Sequence, residues 1–177
     1  KAIRSALGTD ECVLLGGPPC QAYSLVGRSR NKGEKGKVYD ADSDHRNFLY
    51  LEYLRIIARF QPLVFVMENV KGLLSAKTSA GPVFPRIMAD LSDPSKSCST
   101  KPDLGRQPHK YRMFSFVAEQ PLDLFGDPRE QLEPKDYVIR AELYGIPQCR
   151  HRVILLGVRE DLVGSSAPPL LIPSAKQ

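Results

Sequence analysis

Cys12-Val13-Leu14-Leu15-Gly16-Gly17-Pro18-Pro19-Cys20-Gln21-Ala22-Tyr23-Ser24 opens with an apolar run and then breaks abruptly. The run predicts a buried strand over Glu11 to Gly16. Two glycines and two prolines can continue neither a helix nor a sheet, so a turn must follow. That turn holds Cys20 at the carboxyl end of a strand. In open α/β sheets this end is where ligands bind, and a thiol placed there is a candidate nucleophile. A single cysteine is more often a small core residue, so the assignment needs partners from elsewhere in the chain.

Two further segments supply them. Val64-Phe65-Val66-Met67 is an unbroken apolar run of the kind found in parallel sheets covered on both faces, and it leads into Glu68-Asn69-Val70. Gln148-Cys149-Arg150-His151-Arg152 leads into Val153-Ile154-Leu155-Leu156. Residues two apart on a strand share a face, so Arg150 and Arg152 can point into one site. Taken singly, Glu68 reads as a solvated strand-end acid and the arginine pair as a basic strand edge. Together with Cys20 they make a nucleophile, an acid and fixed cations, each beside a hydrophobic strand.

The 177 residues are one-domain size, with 42% hydrophobic residues and a formal net charge of +5, which is compatible with a nucleic-acid partner without requiring one. Cys12, Cys20, Cys98 and Cys149 are scattered, with no Cys-x-x-Cys and no zinc-ligand spacing, which suggests free thiols in a reducing compartment. No apolar run approaches the ~20 residues of a membrane span. The expected layout is β-α-β-α-β-β. Asp44 can cap a helix to about Phe60, with Phe48, Leu51, Leu54 and Ala58 on one face and Pro62 ending it. A strand follows over Leu63 to Met67 and a short helix over Pro82 to Leu91. Two more strands, Tyr137 to Ala141 and Val153 to Val158, flank the turn Tyr144-Gly145-Ile146-Pro147. Residues 92–135 read as a long insertion of unknown role, too apolar in its second half for a disordered linker. The Ser/Ala/Pro-rich tail, 164–177, reads as a linker or the start of a further region.

Pro-Pro-Cys-Gln at 18–21, Asp44-x-Arg46-x-x-Leu49, Glu-Asn-Val at 68–70 and Gln-x-Arg-x-Arg at 148–152, in that order, resemble the DNA (cytosine-5)-methyltransferase family over roughly residues 11 to 162. The resemblance implies a partial Rossmann-like α/β methyltransferase sheet, mostly parallel, with helices on both faces. It implies a methyl transfer from S-adenosylmethionine to C5 of cytosine in double-stranded DNA, as in restriction-modification systems, inside the cytoplasm. The roles it assigns are Cys20 as nucleophile at cytosine C6, Glu68 as the acid at N3, Arg152 at the base carbonyl and Arg150 as support. Gln21, Ser24, Asn69, Val70 and Gln148 fall on the substrate side, and Pro19 and Leu49 match positions lining the cofactor. The chemistry fits these residue types. Thiolate addition at C6 makes C5 nucleophilic, a nearby carboxyl in a dry site can hold a proton, and guanidinium groups stay charged. The target base must leave its stack. Ser24 to Arg46 resembles the loop that closes over DNA, and within it the stretch Arg28 to Lys37, with Arg28, Arg30, Lys32, Lys35 and Lys37 against Glu34, has a local net charge of +4.

The family's Phe-x-Gly-x-Gly signature for S-adenosylmethionine is not in the sequence. The expectation is therefore a partial catalytic domain over 1–163, without the N-terminal cofactor strands and the target-recognition region, and inactive alone. A longer protein or a complementing subunit would supply both. Without those strands the first strand becomes an open sheet edge, which invites pairing with another chain. The alternatives are a tRNA cytosine-5 methyltransferase and an inactive DNA-binding remnant.

Overall fold

The computed structural model describes residues 2–8, 10–19, 47–78, 81–123, 131–164 and 167–174. Helix α1 spans Ala2–Leu7, strand β1 Val13–Gly16, helix α2 Asn47–Phe60 and strand β2 Val64–Val70. Helices α3 (Val83–Ser92) and α4 (Pro94–Cys98) follow. Three more strands join the main sheet, β3 (Tyr111–Phe114), β4 (Val138–Arg140) and β5 (His151–Arg159), and the short segments Lys77–Thr78 and Gly81–Pro82 pair separately as a two-stranded ladder.

One five-stranded sheet organises these elements. β1 pairs with β2 in parallel, with Gly16 opposite Met67. β2 runs antiparallel to β5 along its whole length, from Val64 opposite Val158 to Val70 opposite Arg152. The far edge of β5 is shared: β3 pairs with its carboxyl half and β4 with its amino half. The α/β class stands. The strand directions depart from the mostly parallel sheet the sequence suggests, because only β1–β2 is parallel among the described pairings. The connections decide this. β1 and β2 are separated by a crossover long enough to contain α2, whereas β4 and β5 are joined by the short turn 141–150, which reverses the chain.

Strand β2 extends three residues past the expected Met67, because β5 continues to pair with it: Glu68 lies opposite Ile154 and Asn69 opposite Val153. β5 likewise begins two residues before Val153, so Arg152 is a strand residue. Alternation along β2 buries Phe65, Met67 and Asn69 on one face and leaves Val64, Val66, Glu68 and Val70 half-buried on the other. The buried stripe of α2 is Tyr53, Leu54, Ile57 and Ala58, with Leu51 partly buried. The expected cap, Asp44, and the side chain of Phe48 lie outside the described residues. After α2, Gln61 takes a left-handed conformation (φ 49°) and its N–H bonds Ile57 O at 2.9 Å, and Pro62 prevents continuation.

Phe65 is the centre of the core. Its ring sits edge-on to Tyr53 (6.3 Å) and tilted against Tyr111 (5.1 Å), over Gly157, its register partner on β5. A Cβ at position 157 would stand 2.2 Å from the Phe65 ring, so the glycine is what admits the aromatic. The 92–135 stretch contains α4 and β3, and β3 delivers Tyr111 and Met113 to this core. Tyr111 Oη donates to Pro62 O at 2.8 Å. Buried Arg159 closes the lower end of the sheet, donating to Asp161 at 2.7 and 2.9 Å and reaching Glu11 at 3.4 Å.

Candidate active site

Because β1 and β2 are parallel, their carboxyl ends lie at one edge of the sheet, and β5 brings its amino end there from the opposite direction. The Gly17-Pro18-Pro19 turn leaves β1 and lies against Glu68-Asn69. Asn69 Nδ2 donates to Pro18 O at 3.2 Å, while its Oδ1 accepts from Val70 N at 2.9 Å. Asn69 is buried, so both ends of its amide are used in holding the turn to the strand. A Cβ on Gly17 would come within 3.1 Å of Glu68 Oε2 and 3.4 Å of Glu68 O. The glycine lets the carboxylate lie beside the turn. A Cβ on Gly16 would meet the Tyr53 ring at 2.6 Å, and Tyr53 Oη donates to Val66 O at 3.0 Å. Tyr53 thus packs beneath the strand end that carries the turn.

Arg152 Nε lies 2.7 Å from Glu68 Oε1. The N–H is not aligned for a hydrogen bond, so the contact is a close ion pair. Arg152 Nη1 donates to His151 O at 2.8 Å, which fixes the root of the guanidinium. His151 Nε2 stands 2.7 Å from Glu142 Oε1 and ties the start of β5 to the preceding turn. The Glu142 carboxyl is held below the ordinary carboxylate range, first by its own backbone N–H and then by His151. A carboxylate and a guanidinium therefore meet at the strand ends, directly beside the Gly-Pro-Pro turn.

The structure brings together Glu68, Asn69, Val70 and Arg152, with Val70 as Arg152's register partner. Pro19 is exposed at the end of the turn and Leu49 is exposed near the start of α2. Gln148 and Arg150 are exposed in the turn before β5. Arg150 precedes the strand, so it does not share a strand face with Arg152; its N–H bonds Gln148 O (2.7 Å) and its carbonyl accepts from Ala141 N (3.0 Å). Cys20, Gln21, Ser24, and the whole basic loop to Arg46 lie outside the described residues. Sequence reading did not single out Tyr53 or the Glu142–His151 pair, and it used Gly17 as a turn former without its contact to Glu68. Tyr53 and Glu142 carried no local signal, since each acts through a contact distant in the chain.

Residues 5–95 match the family model of C-5 cytosine-specific DNA methylases. The chain belongs to the C-5 cytosine-specific DNA methylase family. It is 35% identical over 161 residues to the type II methyltransferase M.Bpa9945I of Bacillus paralicheniformis, covering 91% of this chain and 28% of that protein. It is 31% identical to M.AquIA of a Picosynechococcus species, covering 83% and 43%, and 28% identical to the DNA (cytosine-5-)-methyltransferase M.ApeKI of Aeropyrum pernix, covering 89% and 29%. The fold is also similar to that of a protein described as a putative DNA modification methyltransferase encoded within an Escherichia coli prophage, at TM-score 0.50 and 24% identity, over 91% of this chain and 31% of that one. This C-5 cytosine methylase segment thus spans less than half the length of these relatives. Among its described residues, no helix is long and apolar enough to cross a membrane.

Proposed function

We propose that this segment is the catalytic portion of an S-adenosylmethionine-dependent enzyme that methylates C5 of cytosine in double-stranded DNA. The observation that carries the reading is the Glu68–Arg152 pair at the strand ends, beside a turn pinned by Asn69 to the residue two before Cys20. An acid and a fixed cation in that place suit a flipped base with a ring nitrogen to protonate and a carbonyl to hold.

The Cys20 thiolate adds to C6, and its electron pair is pushed through the ring toward C5. Glu68 delivers a proton at N3 as that charge builds, and Arg152 holds the O2 carbonyl. S-adenosylmethionine, when bound, supplies an electrophilic methyl group. Release of a methylated base would need the C5 proton to pass to solvent, its electron pair re-forming the C5–C6 double bond and expelling the Cys20 thiolate, while Glu68 recovers the N3 proton. Arg150, Gln148, Gln21, Ser24 and the Asn69-Val70 backbone border the base. Pro19 and Leu49 are exposed and carry no charge, which suits the apolar side of a cofactor pocket. The remaining contacts and the target-recognition region belong to further sequence or to a complementing subunit. Domain 1–163 is then the partial catalytic unit and 164–177 the passage onward, in a cytoplasmic protein that acts on the chromosome.

The test uses duplex DNA bearing 5-fluorocytosine and the full-length protein with cofactor. A complex that survives denaturation is expected with wild type and not with Cys20→Ser, because fluorine at C5 cannot leave as a proton does. Trapping on RNA in place of DNA, or equal trapping by Cys20→Ser, overturns the reading. Replacing Arg28, Arg30 and Lys32 by Ala is expected to flatten the salt dependence of DNA binding by about one slope unit per lost phosphate contact.

A further inference from the structure

The chain after β5 does not simply leave the molecule. Leu171 N donates to Phe116 O at 2.8 Å, and Ser174 N donates to Leu143 O at 2.9 Å. Residues 171–174 are exposed, so no burial holds them there; the two backbone bonds do. Ser174 also packs onto Gly145: a Cβ at 145 would lie 3.0 Å from Ser174 Oγ and 3.8 Å from Ser174 Cβ. Gly145 has φ +79°, the left-handed conformation in which a side chain is disfavoured. The tail therefore rests on the one point of the 141–150 turn where the backbone is both bare and sharply bent.

That turn has two halves. Its first half is fastened inward: Gly145 N and Ile146 N both bond Ala141 O, and Glu142 bonds His151. Its second half carries Gln148 and Arg150, with residues 145–150 all exposed. Ala141 N to Arg150 O closes the far end, and between Ile146 and Arg150 the backbone bonds are short-range ones, Gln148 N to Ile146 O and Arg150 N to Gln148 O. A two-residue loop-back of that kind fixes local shape but not placement on the body of the protein. Ser174 sits on the hinge between the halves.

We propose that residues 171–174 form a positioning strap: by seating Ser174 on Leu143 and Gly145, they set where Gln148 stands relative to Arg150 and Arg152, which the bond from Ala141 and strand β5 already hold. Ser174 is a positioning residue, acting through the turn. The inference rests on the substrate-side role proposed above for Gln148. It makes the placement of Gln148 depend on the course of the chain at 171–174.

Two measurements test it. Ser174→Pro removes the N–H that bonds Leu143, whereas Ser174→Ala keeps it. Leu171→Pro releases the strap upstream through the Phe116 bond. Hydrogen exchange in the 177-residue chain is expected to quicken at the Gly145, Ile146 and Gln148 amides in both proline variants, by about tenfold, and to stay unchanged in Ser174→Ala. In the full-length protein, Ser174→Pro is expected to raise the KM for DNA about tenfold with kcat within about twofold and the cofactor KM unmoved. Wild-type exchange at these amides in both proline variants overturns the proposal, as does faster exchange with an unmoved KM for DNA. If wild type transfers no methyl group, the functional reading fails, while exchange still decides whether the strap holds the turn.

Discussion

Glu68 and Arg152 meet on a diagonal of the sheet. Glu68 lies opposite Ile154 and Arg152 opposite Val70, yet their side chains close to 2.7 Å. Diagonal neighbours on an antiparallel pair are within reach only of long side chains, and a glutamate with an arginine suffices. The register between β2 and β5 therefore sets this distance, and a slip of one residue would send the two groups to opposite faces.

Glu68→Gln removes the acid while keeping the shape of the side chain. In the full-length protein methyl transfer is expected to fall by about 10²–10⁴, the range for loss of a positioned acid. Thermal unfolding should shift little, since the Glu68 side chain is 43% exposed. Single-turnover methylation beside a melting curve checks both halves. A large melting shift would make Glu68 a structural residue.

Gly157→Ala places a methyl group against the Phe65 ring, where the gap is 2.2 Å. The expected loss is about 1–3 kcal/mol, the usual range for overpacking. Phe65→Leu in the same chain is expected to recover part of it, since two residues in contact do not behave additively. Urea unfolding of the two single variants and the double variant measures the coupling. Simple additivity would sink the account of the core.

Asp161 is held below its ordinary value of 3.8, chiefly by its hydrogen bonds from Arg159. Its contribution to stability is therefore complete above that value and is lost as the pH falls through its native value. Between about pH 5 and about pH 2.5, the urea midpoint of Arg159→Met is expected to fall less steeply than that of wild type. Parallel curves would mean that the pair does not contribute to acid lability.

Val13 is 60% and Leu15 72% exposed on β1, and among the described residues the outer edge of β1 has no strand partner. An apolar open edge promotes association. The 177-residue chain is expected to self-associate, and Leu15→Lys to reduce this without moving the urea midpoint. Sedimentation velocity reads the outcome, and equal association in both proteins would show that the edge is not the contact.

The strands nearest the site were the most legible. Cys12 to Leu15 and Val64 to Met67 are apolar runs ended by turn or polar residues, and both became strands. The strand ends were less so. Glu68 and Arg152 look like flanking polar residues in sequence, and they are strand residues because β2 and β5 pair with each other there, a contact some 84 residues apart that no local pattern encodes. Tyr111–Phe114 was hidden for the same reason: its four residues lack clear alternation, three of them being buried, and only pairing with β5 defines them. Gly157 reads as a strand weakness until Phe65 is placed over it. The Ser/Ala/Pro-rich tail gave no sign of its bonds to Phe116 and Leu143, because these are backbone contacts that do not depend on side-chain type.

The sheet has a temporal consequence during translation. Among the described strands β5 is the last to leave the ribosome, and the described pairings of β3 and β4, as well as the second edge of β2, are made with it. Until His151–Arg159 emerges, the main sheet can hold only the short β1–β2 ladder among its described pairings, and Phe65 and Met67 lack the strand that completes their surroundings. Exposed apolar surface and unpaired strand edges of that kind are what make incompletely folded chains prone to aggregate. A ribosome pause before the His151 codon would lengthen that interval, and a pause just after the Arg159 codon would still leave β5 within the exit tunnel.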